Sequence, residues 1–211
     1  MKKLFSIGLF LIIPLISLAQ FNVGLKAGAG FTTSLFIQGN QTVELESING
    51  RSFGVIMQYL AVRNAGVQVE VLRQTKGWQQ LIPGVDGYYR VDMNSVDIPI
   101  LSHFVLGKKD VRFIFTIGPH LSFTNSSDFE TTFEDDVLFS QVFLYNDRID
   151  NRFTYGLSAG MGLKYVKNKN VVQLEARFSN DFQNNVTDER LTYAQHQVFS
   201  VTLSYLYQII K

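Results

Sequence analysis

The fold of this chain is decided by residues 152–166, which read RFTYGLSAGMGLKYV. Apolar side chains occupy every second position from Phe153 to Tyr165. Small or polar side chains, ending with Lys164, occupy the positions between them. Successive side chains of a β-strand point to opposite faces, so a period of two indicates a strand. The stretch therefore predicts a strand with one apolar face and one polar, glycine-rich face.

The same alternation appears in seven further segments, at residues 21–33, 52–62, 66–76, 88–106, 111–124, 171–182 and 197–210. Within 88–106 the alternation changes phase, and we expect one β-bulge near Asn94 and Ser95 to reconcile the two halves. The connections are alternately short (63–65, 107–110, 167–170) and long (34–51, 77–87, 125–151, 183–196). This pattern predicts an all-β fold, an eight-stranded antiparallel up-and-down transmembrane β-barrel.

Aromatic residues fall near both ends of these strands. From Phe21 to Phe31 the strand covers about 33 Å, or about 25 Å along the membrane normal at a tilt near 40°. This height matches the apolar band of an outer-membrane barrel. A soluble, lipocalin-like binding barrel remains an alternative, because alternation alone does not say which face points inward. The two aromatic sets are Phe21, Tyr59, Phe104, Phe113, Tyr165 and Tyr207 at the short-turn end, and Phe31, Phe53, Phe123, Phe153 and Phe199 at the loop end.

The N-terminus has the features of an export signal. Two lysines precede the apolar run 4–18, and Ser17 and Ala19 provide the small residues of a cleavage site. We expect residues 1–19 to be a signal peptide and residues 20–211 to form one barrel domain in the outer membrane. The chain has no cysteine, which excludes a disulfide scaffold, cysteine metal ligands and a lipoprotein anchor. A net charge of +1 gives no reason to expect a nucleic-acid partner.

Four short stretches, at residues 21–28, 96–101, 115–121 and 156–163, carry a resemblance. They read FNVGLKAG, VDIPIL, FTIGPHL and GLSAGMGL. They resemble the outer-membrane β-barrel domain common in Bacteroidetes, whose members are often labelled porin-family or PorT-like proteins. The resemblance implies a small outer-membrane barrel and implies no catalytic residues. The chain departs from the usual aromatic C-terminus of such barrels, because it ends in Lys211.

The inward face predicted by this threading is rich in charge. Eight strands leave an interior just wide enough for side chains, and a buried charge needs a partner. We therefore expect a plugged, salt-bridged interior and a structural or surface-interaction role rather than an enzyme, with a narrow porin-like channel as the alternative. The predicted interior polar network comprises Lys26, Glu70, Asp97, Arg112, His120, Lys164, Glu175 and Arg177.

His120 and Asp97 suggest a second alternative. If the 107–110 turn is tight, the two residues oppose each other inside the barrel, with Ser95 and Ser122 nearby. A carboxylate that orients a histidine beside a serine is the arrangement of a nucleophilic enzyme. A cross-strand hydrogen bond between interior polar groups explains the pair equally, and we expect that role.

The long connection 125–151 is strongly acidic, with Arg148 as its one basic residue. A Ca²⁺ site is conceivable there, since Ca²⁺ prefers several carboxylate oxygens, but the spacing is not that of an EF-hand. We expect no cofactor and no metal. The expected partners are outer-membrane lipid, the barrel-insertion machinery and an extracellular or envelope protein bound through this loop, and the expected state is a monomer.

Overall fold

The computed structural model describes residues 20–81, 86–132, 143, 151–184, 186 and 188–210. The predicted signal peptide, Lys211 and most of the acidic connection 125–151 lie outside the described residues. Within the described part of the chain, no helix has the length and apolar character needed to cross a membrane.

Antiparallel β-strands make up nearly all of the described chain. They are β1 (Gln20–Gln38), β2 (Gln41–Val43), β3 (Ile48–Val62), β4 (Ala65–Gln80), β5 (Tyr89–Leu106), β6 (Val111–Thr131), β7 (Phe153–Lys167), β8 (Asn170–Asp181) and β9 (Tyr193–Ile210). Each long strand pairs with the next long strand along the chain, and β9 pairs with β1. The eight long strands therefore close into a ring, which confirms the predicted eight-stranded barrel. Among the described residues, the short β2 pairs with the end of β1 alone.

The apolar faces of the strands point outward. Leu25 is 68% exposed, Phe113 66% and Met161 66%, whereas the neighbouring Lys26 and Glu70 are buried inside the ring. A soluble binding barrel requires the reverse arrangement, so the lipocalin-like alternative is wrong. Lipid can cover this apolar surface, and closure of the ring by β1 and β9 pairs the two strands that would otherwise form its open edges.

The aromatic residues cluster as expected. At the loop end, Phe31 pairs with Phe199 across β1 and β9, and the rings of Phe123 and Phe153 lie 4.8 Å apart. At the short-turn end, Phe21 pairs with Tyr59. The outward aromatics therefore occur near both rims of the barrel, where outer-membrane barrels have aromatic girdles.

The register shifts between Asn94 and Ser95, where a bulge was predicted. The extra residue, however, is Asn125 on β6, because Asn94 pairs with Ser126 and Ser95 with Thr124. The inward phase of β5 consequently does not change. Tyr89 has an aromatic side chain and yet points inward, because apolar side chains fill the barrel interior near the loop end.

Apolar side chains close the interior at both ends. At the short-turn end, one cluster contains Leu60, Val105 and Ile114, and another contains Ile56, Val171 and Leu206. A larger apolar cluster lies at the loop end. That larger cluster, here the upper apolar cluster, comprises Phe36, Trp78, Tyr89, Val91, Met93, Phe143, Val186 and Ala194.

Candidate functional site

The middle of the barrel holds a compact group of ions, here the central cluster, formed by Lys26, Glu70, Glu175 and Arg177. Lys26 Nζ lies 2.9 Å from Glu70 Oε1 and 2.7 Å from Glu175 Oε2. The Arg177 guanidinium donates to both oxygens of Glu70, at 2.7 and 2.8 Å, and to both oxygens of Glu175, at 2.9 and 3.0 Å. The two carboxylates are thus bridged by two cations from different strands.

Amide and hydroxyl groups extend the central cluster. Gln68 donates to Glu70, and Thr116 Oγ1 donates to Glu175 Oε1 at 2.6 Å. The Gln58 side chain donates from Nε2 to Gln68 Oε1 at 2.7 Å. Its Oε1 accepts a hydrogen bond from Lys164 Nζ at 2.9 Å. Buried polar groups are stable when their hydrogen bonds are made. These bonds therefore connect opposite sides of the wall through a buried polar core.

A second group, the upper cluster, lies nearer the loop end and is built around Lys76, Asp97, Asp181 and His120. Lys76 Nζ lies 3.0 Å from Asp97 Oδ2 and 3.6 Å from Asp181 Oδ2. His120 Nε2 lies 2.7 Å from Asp181 Oδ1. Ser122 Oγ donates to Asp97 Oδ1 at 2.6 Å. Each carboxylate of this cluster has at least two partners.

The predicted pairing of His120 with Asp97 is wrong. His120 pairs with Pro99, and Asp97 pairs with Ser122, a register two residues away from the predicted one. The reason is the connection after β5. Leu106 pairs with Phe113 rather than Val111, Gly107 adopts a φ of 116°, and residues 107–112 have no partner in the β5–β6 ladder, although β6 already pairs with β7 from Val111. A wider turn moves the whole hairpin register.

Arg112 also lies apart from the predicted network. Its Nε donates to the Lys109 carbonyl at 2.9 Å, so the side chain folds onto the turn instead of reaching the central cluster. Lys164 is buried in the interior and bonds to Gln58. Glu175 lies opposite Gly162, as the tight 167–170 turn predicted.

Sequence reasoning did not assign two interior charges, Lys76 and Asp181. Both are the last inward positions of predicted strands, at the ends of segments 66–76 and 171–182, so extending the alternation by one step would have identified them. With these two, the buried charged side chains of the described interior are balanced. Four cations (Lys26, Lys76, Lys164, Arg177) accompany four carboxylates (Glu70, Asp97, Glu175, Asp181).

Ser158, His120 and Asp181 form a hydrogen-bonded chain of the residue types found in nucleophilic hydrolases. Ser158 Oγ lies 3.0 Å from His120 Nδ1, and His120 Nε2 lies 2.7 Å from Asp181 Oδ1. The three residues are at most 2% exposed. Ser158 Oγ also lies 2.7 Å from Ser179 Oγ. The Ser158 hydroxyl is thus hydrogen-bonded to two interior side chains, and a substrate would have to displace packed side chains to reach it.

A metal site is not evident in the described part of the chain, where no group of three or more His, Asp or Glu side chains is arranged to hold an ion. Most of the acidic connection 125–151, where a Ca²⁺ site was conceivable, lies outside the described residues.

Comparisons with known proteins identify relatives at two levels. The family described as "Outer membrane protein beta-barrel domain" has a model that matches residues 17–189. The chain is similar in structure to the outer membrane protein OprG of Pseudomonas aeruginosa, with a TM-score of 0.52 and 9% identity over 92% of this chain and 98% of that one. It is also similar to the outer membrane protein AlkL, solved in lipid bilayers, with a TM-score of 0.51 and 9% identity over 92% of both chains. At such identities the likeness shows the fold alone. No curated protein sequence matches the chain.

Proposed function

The chain belongs to the outer membrane protein beta-barrel domain family, and from this premise we propose that it is a closed, non-conducting barrel with a structural or surface-interaction role. The protein is an outer-membrane β-barrel protein. The finer resemblance to the Bacteroidetes porin-family or PorT-like proteins belongs to the same proposal. It is supported by the motifs at residues 21–28, 96–101, 115–121 and 156–163.

One observation carries the proposal: the ion pairs of the central cluster span the lumen. Lys26 comes from β1, Glu70 from β4, and Glu175 and Arg177 from β8, yet all four side chains meet within hydrogen-bond distance. An ion that crosses this level must break buried, charge-assisted bonds, each of which is strong because its surroundings exclude water.

Closure leaves the outside of the barrel and its loop end for function. We expect outer-membrane lipid around the apolar belt, the barrel-insertion machinery during assembly, and a protein partner at the loop end through residues 125–151. The long strands support this view, since β5 and β6 continue to Tyr89 and Thr131, well beyond the loop-end aromatics. A monomer is the expected state, because the ring of strands closes within one chain.

The direct test is conductance. The purified protein, reconstituted in planar lipid bilayers, should give no steady unitary current at either polarity. The narrow-channel alternative predicts reproducible unitary currents whose ion selectivity changes in Glu175→Gln, which alters the central cluster. The matched control is Glu189→Gln, an exposed loop position, which should leave any current unchanged. Selective currents that respond only to the interior substitution would refute the closed-barrel proposal.

A further inference from the structure

The wall of the barrel has an interruption near the loop end of β1. β1 pairs with β3 as far as Thr32 opposite Ile48, and with β2 from Phe36 opposite Val43. Residues 33–35 between these points pair with β9 but have no ladder partner on the other side. The facing residues 44–47 turn away, because Glu46 bonds through its backbone to Gln79 of β4, at 2.8 and 3.1 Å.

A cavity of about 1230 Å³ occupies this interruption. Thr33, Ser34 and Leu35 line one side, and residues 42–46 line the other. Pockets that hold drug-sized ligands have volumes of about 300–1,000 Å³, so the space is sufficient for an organic molecule. The cavity lies where the ladder between β1 and its neighbours is interrupted.

The lining of this cavity, here the wall cavity, has a distinct chemistry. Leu35, Val43 and Leu45 provide apolar surface, whereas Glu44, Glu46 and Asp86 provide carboxylates. Among its described lining residues there is no lysine or arginine. The Glu46 carboxylate is fixed at the rim, since Gln79 Nε2 donates to its Oε2 at 2.8 Å. Glu44 and Asp86 are exposed. An apolar lining beneath a rim of negative charge complements a cation with an apolar body.

Buried side chains of the barrel interior adjoin the wall cavity. Ser34, on its lining, bonds to His196 Nδ1 at 2.9 Å, and both are buried. Val43 and Leu45 line the cavity and also pack against the upper apolar cluster, which contains Trp78. A ligand in the wall cavity therefore contacts side chains that pack against the cluster containing Trp78, the one tryptophan of the chain.

We propose that the wall cavity binds small organic cations that combine an ammonium group with an apolar body. The apolar body lies against the leucines and Val43, and the ammonium group lies at the acidic rim. The proposal does not depend on conductance, since the site lies outside the central and upper clusters.

The test uses benzyltrimethylammonium as the probe and the full barrel reconstituted in uncharged phosphatidylcholine nanodiscs. Binding is measured by equilibrium dialysis and, in parallel, by Trp78 fluorescence. We expect saturable binding of the cation, and much weaker binding of benzyl alcohol and of benzenesulfonate. The double substitution Glu44→Gln/Asp86→Asn should raise the dissociation constant by roughly three- to ten-fold, as expected for the loss of two exposed attractions.

The matched control is Asp128→Asn/Glu189→Gln. It removes the same charge from exposed positions that do not line the cavity, and it should leave the dissociation constant unchanged. Three results would overturn the proposal: no saturable binding by dialysis, equal binding of the neutral or anionic probe, or equal weakening in the two double variants.

Discussion

Arg177→Met tests the central cluster at its most connected residue. Arg177 makes five short contacts, two with Glu70 and three with Glu175, and both carboxylates are fully buried. Methionine has no charge and nearly fills the same space, so the substitution removes the charge with little change in packing. Lys26 then remains as the one cation within 3 Å of two carboxylates.

The expected loss of stability follows from the one cation that remains beside two carboxylates. One buried carboxylate loses its compensation, and removal of one partner from a buried ion pair costs about 3–5 kcal/mol. A second substitution, Glu70→Gln, removes the excess negative charge. The double variant Arg177→Met/Glu70→Gln should therefore recover much of the loss and lie only about 1–2 kcal/mol below the wild type. The two substitutions should be strongly non-additive.

The assay is equilibrium unfolding in urea with the barrel in lipid vesicles, followed by the fluorescence of Trp78. Arg63→Met serves as the matched control, because Arg63 is exposed in a short turn, and we expect a change within about 0.5 kcal/mol. The reasoning fails if Arg177→Met loses less than about 1 kcal/mol, or if the double variant is as unstable as the sum of the single ones.

Three further predictions concern other parts of the barrel. Leu157→Arg, on the outward face, should destabilise the protein in lipid by about 2–4 kcal/mol, and equal stability in vesicles would contradict the outward assignment. Gly160→Val should cost about 1–3 kcal/mol in the same unfolding assay, because a Cβ there would lie 2.6 Å from Glu175 Oε1; an unchanged midpoint would argue against the packed interior. His120→Asn should lower stability by about 1–2 kcal/mol through the lost bond to Asp181 and leave any cellular phenotype intact. Complete loss of phenotype in a folded, inserted protein would instead favour chemistry at this histidine.

Alternation was sufficient to predict the barrel, because the period of two reports directly on which side chains share a face. Each strand has an apolar face toward the lipid and a mostly polar face toward the interior, which is filled by side chains. The rule fails where the environment changes along a strand. Val91 and Met93 are inward although they are apolar, since the upper apolar cluster replaces the polar interior at that level.

Contacts across the lumen were harder to predict than faces. Lys26 and Arg177 meet Glu70 although they lie 44 and 107 residues from it in the sequence, and their reach depends on the curvature of the closed wall. The register of each hairpin also depends on its turn. The tight turn after β7 gave the correct partner for Glu175, whereas the wider turn at Gly107 moved Asp97 from His120 to Ser122.

The distribution of buried charge bears on the choice between plug and pore. The central cluster, with the adjoining Lys164, has one cation in excess, and the upper cluster has one carboxylate in excess. Neither is balanced alone, but the four buried cations and four buried carboxylates of the described interior balance together. A selective pore places a ring of one sign along its lumen, so that ions of the other sign enter favourably. Here the two clusters have an excess of opposite charge, so an ion of either sign would be repelled by one of them. The ion pairs within the clusters also occupy the space that a passing ion would need. This arrangement supports the proposed closed interior.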